Sequence, residues 1–324
     1  MREKVLLALL QAGGNPLSGE ALGERLGISR VAVWKHMDAL RQAGYAIESL
    51  PHSGYRLARL PDRLDAPLIQ ARLTGAHMGR ALLSLERTDS TNLEGKRLAA
   101  KGCPHGQAVV TDCQSAGRGR RGRDWISPPG VNIYLSVVFK LPLPPQRAPL
   151  ITLLMAESTC RVLLDMGYDA GIKWPNDVVV SGRKVAGILT EMSADLDQLH
   201  WAVAGIGINA NWRDIPQDIA QRATSLAEAG GAPVDRAALI ARVLDALEAD
   251  EGLLSDPPRL LERLRAHSVT LGRPVRVAGV EETFTGLAEA MDEEGALLVR
   301  RQDGTLSRVL AGDVSVRGLM GYAK

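Results

Sequence analysis

A chain of 324 residues is too long for one ordinary domain and predicts two or three. Its 45% hydrophobic and 23% charged residues describe a globular protein with an ample core, and a formal charge of +2 excludes binding to a polyanion through net charge alone. Three cysteines, an odd number without C-x-x-C spacing, argue against a disulfide scaffold and favour a reducing, cytoplasmic setting.

No segment of the sequence indicates a membrane protein. The first apolar run, Val5 to Leu10, is brief, Glu3 interrupts the basic residues before it, and no small-residue cleavage site follows. No later run approaches the roughly 20 apolar residues of a membrane-spanning helix. We therefore expect a cytoplasmic protein with no membrane partner.

The first 62 residues predict a small DNA-binding domain. Apolar residues at helical spacing indicate helices near residues 5–10, 19–26 and 30–43, and Ser29 is a good N-cap for the third. Two short alternating runs around the turn at residues 51–54 predict a hairpin. Three helices followed by a hairpin is the pattern of a winged helix-turn-helix. A proline-containing linker follows.

Basic and polar side chains accompany the third helix and the hairpin turn. Val33, Met37 and Leu40 are at core spacing, so the other faces of the helix can reach phosphates or base edges. For any single side chain, simple solvation of the helix is the alternative. The residues that we expect to contact DNA are Ser29, Arg30, Trp34, Lys35 and His52.

Residues 63–268 predict an α/β fold class, an α+β core built on a mixed sheet. Strands are predicted at residues 81–86, 107–113, 131–140, 177–181, 185–192 and 200–208. Helices are predicted at residues 90–100, 148–167, 235–254 and 258–267. A short hairpin at residues 181–183 and the uneven spacings favour a mixed sheet with helices on one side over a doubly wound fold.

Residues 269–324 predict a third, all-β domain. Short alternating runs recur there, separated by glycines, at residues 274–277, 283–290, 296–300, 306–310 and 314–317. This pattern is typical of a small β-barrel, which we expect to be SH3-like.

The segment Gly117–Arg123 carries the most unusual chemistry. It matches G-x-G-x-x-G, but Pro128 and Pro129 soon follow and deny it the helix that a dinucleotide-binding turn requires. Four arginines laced with glycine instead bring guanidinium groups and backbone amides to an anion. We expect a mobile loop that orders over a phosphate. From this segment alone, a nucleic-acid-binding loop or a solvated turn stays open.

Further segments point to one family. Asp89–Asn92 stands between a strand and a helix, K-W-P-N-D occupies residues 173–177, and G-R-K-x-A-G-I-L occupies residues 182–189. With the G-R-G-R-x-G-R-x-W loop, in this order and spacing, the chain resembles the biotin protein ligase family, in its bifunctional class of biotin operon repressors (BirA type). The resemblance covers nearly the whole chain.

The resemblance implies site residues. Those expected to line the biotin pocket are Ser90, Thr91, Asn92, Gln114, Arg118, Gly119, Arg120 and Lys184. Those expected to bind the nucleotide are Arg118, Arg120, Arg121, Trp125, Lys173, Asn176 and Asn209. Lys184, Arg120 and Asp177 are the expected catalytic residues, although Asp177 is equally suited to fix Lys173 by an ion pair. The run 205–209 also matches the family, as close backbone packing near the nucleotide.

The resemblance also implies an activity in two steps and a regulatory role. Biotin and ATP would give biotinyl-5′-AMP, with Mg²⁺ balancing the polyphosphate charge, and a lysine of the biotin carboxyl carrier protein of acetyl-CoA carboxylase would then accept biotin. Adenylate binding would favour a homodimer that binds operator DNA and represses the biotin operon. We expect no resident metal site. The alternatives are a single-function ligase with a vestigial DNA-binding domain and a non-catalytic, ligand-sensing transcription factor.

Overall fold

A computed structural model describes residues 1–60, 64–279, 282–311 and 315–318. In the part of the chain so described, no helix combines the length and the apolar character that crossing a membrane requires. The predicted domain boundary at residue 62 falls outside the described residues and stays a prediction.

The N-terminal unit consists of three helices and a hairpin. Its elements are α1 (Arg2–Gln11), α2 (Gly19–Leu26), α3 (Arg30–Gln42), β1 (Ala46–Leu50) and β2 (Gly54–Arg59). Ser29 caps α3, because its Oγ accepts a hydrogen bond from the Ala32 amide at 3.2 Å. Gly27, with φ of 65°, ends α2 in the left-handed conformation that turns the chain into α3. The predicted winged helix-turn-helix is confirmed.

The central unit is built on a seven-stranded mixed sheet. Its strands are β3 (Leu82–Leu85), β4 (Ala108–Thr111), β5 (Ile133–Phe139), β6 (Ala170–Lys173), β7 (Asp177–Val180), β8 (Arg183–Ala194) and β9 (Leu199–Ile208). Its helices are α4 (Ala66–Gln70), α5 (Thr91–Ala100), α6 (Pro149–Asp165), α7 (Gln217–Ala220), α8 (Leu226–Gly230), α9 (Arg236–Asp250) and α10 (Pro257–His267). The strand order is β3-β4-β5-β9-β8-β7-β6, in which only the β3–β4 pair is parallel among the described strands. The predicted mixed sheet is confirmed.

Helices cover both faces of this sheet, so the prediction of helices on one side is wrong. Thr152 of α6 hydrogen-bonds Thr190 of β8 at 2.7 Å, whereas the next strand residue, Glu191, contacts Asn92 of α5. Successive residues of a strand point to opposite faces, so α5 and α6 lie on opposite sides. The sequence of β5 agrees, since all seven of its residues are buried.

The C-terminal unit is a five-stranded antiparallel sheet. Its strands are β10 (Pro274–Ala278), β11 (Thr283–Met291), β12 (Leu297–Arg301), β13 (Leu306–Val309) and β14 (Ser315–Gly318), in the order β13-β12-β11-β10-β14. Trp174 joins this unit to the central one, because its indole N–H donates to the Gly295 carbonyl at 3.0 Å and its backbone N–H to Thr270 Oγ1 at 2.9 Å. The predicted small β domain is confirmed. Val314, where the last predicted strand starts, lies outside the described residues.

Candidate active site

One end of the site is a polar wall between α5 and the sheet. Ser136 of β5, Gly205 of β9 and Leu189 of β8 are in register across three neighbouring strands and face α5. The first turn of α5 places Thr91 and Asn92 directly above them, both buried. A Cβ at position 205 would overlap Asn92 Oδ1, so this strand position requires glycine.

Hydrogen bonds fix the side chains of this wall. Ser136 Oγ lies 2.8 Å from Thr91 Oγ1 and 2.7 Å from Asn92 Oδ1. The Thr91 amide donates to Gln114 Oε1 at 3.0 Å, and Gln114 Nε2 donates to Ser127 Oγ at 3.1 Å. Hydroxyl and amide groups preset in this way suit a neutral ligand that carries both N–H donors and a carbonyl acceptor.

The arginine-rich loop has a defined hairpin-like conformation. The Gly119 amide donates to the Arg123 carbonyl at 2.7 Å, and the Trp125 amide donates to the Gly117 carbonyl at 2.9 Å. A short 3₁₀ turn spans Arg120–Gly122, with Arg121 at a φ of 59°. These backbone bonds hold the loop closed over the sheet, while its ordering in response to an anion stays a prediction.

Arg120 is the one arginine of this loop that is partly buried. Its Nη1 donates to Asn176 Oδ1 at 2.9 Å. Burial lowers the pKa of Arg120, and the nearby Asp177 carboxylate opposes that effect. A partly desolvated guanidinium binds a carboxylate or phosphate more strongly than one in water.

Asp177 lies between two lysines. Its Oδ1 is 2.6 Å from Lys184 Nζ and its Oδ2 is 3.3 Å from Lys173 Nζ. Burial alone would raise the pKa of Asp177, but the charges and hydrogen bonds of Lys184 and Lys173 outweigh it and hold the pKa below its ordinary value. A carboxylate of lowered pKa is a weak base. The geometry therefore favours a role in holding the two lysines over one in removing a proton.

Trp125 covers two glycines at the other end of the site. Gly187 and Gly207 are directly paired across β8 and β9, and a Cβ at either position would press on the indole. Lys184 Nζ lies 5.1 Å from the ring centroid, a cation–π distance. The buried indole N–H has no hydrogen-bond partner among the described residues. An aromatic face and an unused donor beside a cation are the features that bind a purine and its phosphate.

These features surround one cavity that is open to solvent. The predicted residues that line it are Ser90, Thr91, Asn92, Gln114, Arg118, Gly119, Arg120, Trp125, Asn176 and Lys184. The strand residues 187–189 and 205–207 complete the wall. The structure thus brings together every residue that we predicted for biotin and four of the seven that we predicted for the nucleotide. The roles themselves stay predictions.

The other three predicted nucleotide residues lie outside the cavity wall. Lys173 is behind it, paired with Asp177. Arg121 turns outward, and its Nη1 lies 3.4 Å from the Ala278 carbonyl of the C-terminal sheet. Asn209 is buried, and its Nδ2 donates to the Thr224 carbonyl at 3.1 Å. Motif position did not reveal these orientations, because neighbouring residues of a loop or strand end face different ways.

A separate group of histidine and glutamate side chains lies at the opposite end of β4. Donor atoms of His77, His105 and Glu251 lie within 4.8 Å of one another. His105 Nδ1 accepts a hydrogen bond from the Lys140 amide at 3.0 Å, so a neutral His105 carries its proton on Nε2, which faces Glu251. A metal ligand would have to lose that proton, so the group is better described as a hydrogen-bonded cluster.

Three sequence families match successive parts of the chain. An HTH domain matches residues 2–56, the Biotin/lipoate A/B protein ligase family matches residues 84–209, and the Biotin protein ligase C terminal domain matches residues 270–317. The bifunctional ligase/repressor BirA of Bacillus subtilis is 34% identical over 325 residues, covering 98% of each chain. The protein of the same description from Escherichia coli is 34% identical over 319 residues, covering 96% of each. The chain belongs to the biotin protein ligase family.

A solved member of the biotin protein ligase family shares the fold of most of this chain. The biotin protein ligase from Aquifex aeolicus in complex with biotin and ATP is 31% identical, with a TM-score of 0.64 over 74% of this chain and 99% of its own. That protein therefore lacks a counterpart for about a quarter of this one. The predicted resemblance and the predicted fold class are both confirmed.

The N-terminal unit of this biotin protein ligase presents the predicted DNA-contacting side chains to solvent. Arg30, Trp34 and Lys35 are exposed on α3, with Trp34 53% exposed, and His52 is exposed at the tip of the hairpin. Ser29 is also exposed, although its hydroxyl caps α3. The structure leaves these side chains free to meet DNA, and the contacts themselves stay a prediction.

Proposed function

We propose that this biotin protein ligase activates biotin with ATP and transfers it to a lysine of the biotin carboxyl carrier protein of acetyl-CoA carboxylase. The observation that carries the proposal is one cavity with a neutral polar wall at one end and three cations, Arg118, Arg120 and Lys184, at the other. Biotin has matching ends, a neutral ureido ring and a carboxylate. This charge pattern supports a bound biotin whose carboxylate meets the α-phosphate of ATP beside Lys184.

In the first step, a carboxylate oxygen of biotin attacks the α-phosphorus. A new P–O bond forms, the bond to the β-phosphate oxygen breaks, and pyrophosphate leaves with the electron pair. Arg120 and Lys184 stabilise the charge that builds on the phosphorus oxygens. Asp177 holds Lys184 in place through its 2.6 Å ion pair. The loop and Trp125 exclude water, which protects the mixed anhydride, biotinyl-5′-AMP, from hydrolysis.

In the second step, the neutral ε-amine of the carrier lysine attacks the acyl carbon. The C–N bond forms, the C–O bond to AMP breaks, and the amine loses one proton. The lowered pKa of Asp177 makes solvent or the departing phosphate a better acceptor for that proton than Asp177 itself.

Mg²⁺ is the expected companion of ATP. Among the described residues, the charged side chains that line the cavity are cations, and the nearby Asp177 is occupied by two lysines. These residues do not offer the carboxylates that usually hold Mg²⁺. We propose that the ion enters bound to the phosphate oxygens of ATP.

We further propose that the N-terminal unit binds the biotin operator and represses it as an adenylate-dependent homodimer in the cytoplasm. The exposed Arg30 and Lys35 on α3 support binding to DNA, and a dimer would match a palindromic site. The three cysteines are free, as expected of a reducing compartment.

Pyrophosphate release tests the first step. The protein with ATP and Mg²⁺ should release pyrophosphate when biotin is added, and should not do so with lipoate, which lacks the ureido ring. Pyrophosphate release at the same rate with and without biotin would contradict the proposal. A protein that binds biotin and DNA without any release would be a ligand-sensing transcription factor.

A further inference from the structure

Glu191 stands behind the polar wall without being part of it. It lies on β8, two residues beyond Leu189 on the same face of the sheet, and it does not line the cavity. Its Oε2 accepts a hydrogen bond from Asn92 Nδ2 at 3.0 Å, and its Oε1 accepts one from Lys96 Nζ at 2.6 Å. Asn92 and Lys96 are one turn apart on α5 and therefore share the face that meets Glu191.

These contacts decide which way the Asn92 amide points. Its Nδ2 donates one hydrogen to Glu191 and the other to the Leu189 carbonyl at 3.0 Å, while its Oδ1 accepts from Ser136 Oγ at 2.7 Å. A flipped amide would set its oxygen against a carbonyl and a carboxylate, which are both acceptors. The Asn92 oxygen is therefore held over Gly205, on the wall of the cavity.

A carboxylate is the side chain that this position needs. Both neighbours of Glu191, Asn92 and Lys96, present donors, and a carboxylate accepts from both. A glutamine would give its oxygen to the charged Lys96, which is the stronger donor, and would turn its own NH₂ against Asn92. Asn92 is only 5% exposed, so a lost or reversed hydrogen bond there is not replaced by water.

We propose that Glu191 is a positioning residue, which fixes the Asn92 amide so that its oxygen accepts a ureido N–H of biotin. The inference rests on the proposed function, namely that this cavity takes biotin. It adds a requirement of its own, because Glu191 contacts no ligand and acts only through Asn92.

The test is biotin binding to the full chain by calorimetry, with and without Glu191→Gln. We expect the Kd for biotin to rise about tenfold, which corresponds to the loss of one well-placed hydrogen bond. The KM for ATP should stay at the wild-type value, whereas the Tm should fall slightly, because one buried hydrogen bond and the Lys96 ion pair are lost. Glu289→Gln is the matched control, since Glu289 is an exposed carboxylate paired with Arg300 in the C-terminal sheet.

A second substitution tests the mechanism by rescue. When Lys96→Gln is added to Glu191→Gln, the amide at position 191 can accept a hydrogen bond from Asn92 and donate one to the amide at position 96. Most of the biotin affinity should therefore return. If Glu191→Gln does not fold, Glu191→Asp replaces it. The shorter side chain keeps its charge near Lys96 but loses the contact with Asn92, and the Kd should rise in the same way.

An unchanged Kd for biotin in Glu191→Gln, with biotin bound normally by the wild type, would overturn the positioning role and leave the proposed function intact. A KM for ATP that rises by the same factor as the Kd for biotin would also overturn it, since it would mark a structural role. A wild-type chain that does not bind biotin would refute the proposed function and this inference with it.

Discussion

At the scale of single residues, the site depends on two glycines of one strand. Gly205 makes room for Asn92 at the polar wall, and Gly207, two residues on and on the same face, makes room for Trp125. The residues between and before them in β9, Ile206 and Ala204, are buried, and their side chains point to the other face of the sheet. The same strand therefore supports both ends of the cavity.

Alanine at each of these two positions should weaken the binding of a different substrate. Gly205→Ala should raise the KM for biotin about tenfold, and Gly207→Ala should raise the KM for ATP by a similar factor, because overpacking of this kind costs about 1–3 kcal/mol. Steady-state pyrophosphate release with each substrate varied checks this. If both variants affected both substrates equally, the two-ended description of the cavity would be wrong.

Asp177→Asn should slow adenylate formation more than it weakens biotin binding. The side chain is 13% exposed and shared by Lys184 and Lys173, so its replacement frees the lysine that faces the phosphate and removes the negative charge between two cations. We expect a fall in kcat of about 10- to 100-fold, comparable to losing one transition-state contact. Single-turnover adenylation measures it. A wild-type kcat would show that the ion pairs do not serve the reaction.

At the scale of secondary-structure elements, a buried polar layer fastens α6 to α10. Asp250, at the end of α9, accepts hydrogen bonds from Ser158 and Arg161 of α6 at 2.9 and 2.6 Å, and from Arg263 of α10 at 2.9 Å. Burial alone would raise the pKa of Asp250, but the hydrogen bonds from Arg263 and Arg161 outweigh it and lower the pKa.

Asp250→Asn should lower the free energy of unfolding by about 3 kcal/mol, because it removes the buried counter-ion of Arg161 and leaves Arg263 paired with Glu157 alone. The folded pKa is below the ordinary value of 3.8, so the wild-type contribution is complete above that pH and is lost as pH falls through the lowered pKa. Denaturant unfolding at pH 7 and pH 3 checks both points, and the gap between variant and wild type should narrow at pH 3. A constant gap would exclude the electrostatic origin.

The elements that sequence predicted well are those whose pattern is local. Ser29 marked the start of α3, and β8 and β9 were identified by their length and apolar alternation. The strand β6 was missed because Ala-Gly-Ile-Lys is short and carries a glycine. The position of α5 on the opposite face, and with it the contact between Glu191 and Asn92, depends on packing between distant segments and leaves no local signal.

The motifs identified the site but not the direction of every side chain. Arg118, Arg120 and Lys184 line the cavity as the motifs suggested, whereas Lys173 and Asn209 face elsewhere. A motif records which residues occur near a ligand, and it does not distinguish contact from support. That distinction required the pairing of strands and the hydrogen bonds.

At the scale of the whole molecule, the three units are joined by specific contacts. Trp174, next to the turn that carries Asn176 and Asp177, donates a hydrogen bond to the C-terminal unit. Arg121 of the arginine-rich loop reaches the same unit. Tyr45 of the N-terminal unit hydrogen-bonds Asp65, beside Leu64, whose amide donates to Asp112 at 3.3 Å. Asp112 lies two residues before Gln114 of the polar wall, so contacts run from the DNA-binding unit to the cavity.

Removing positive charge from α3 should weaken DNA binding and leave the ligase activity unchanged. The double substitution Arg30→Ala with Lys35→Ala should weaken binding to operator DNA at least tenfold, since each phosphate contact contributes a salt-dependent share of the affinity. Pyrophosphate release should be unchanged, because α3 contributes none of the residues that line the cavity. Fluorescence anisotropy at two salt concentrations measures the first quantity. Wild-type DNA affinity in the double variant would contradict the assignment of α3.

The most direct measurement is the intact mass of a biotin carboxyl carrier domain after incubation with this protein, biotin, ATP and Mg²⁺. The proposed function predicts that the carrier gains the mass of one biotinyl group, only when both biotin and ATP are present. A carrier in which the acceptor lysine is replaced by arginine should gain nothing. An unmodified wild-type carrier, or equal modification of the arginine variant, would contradict it.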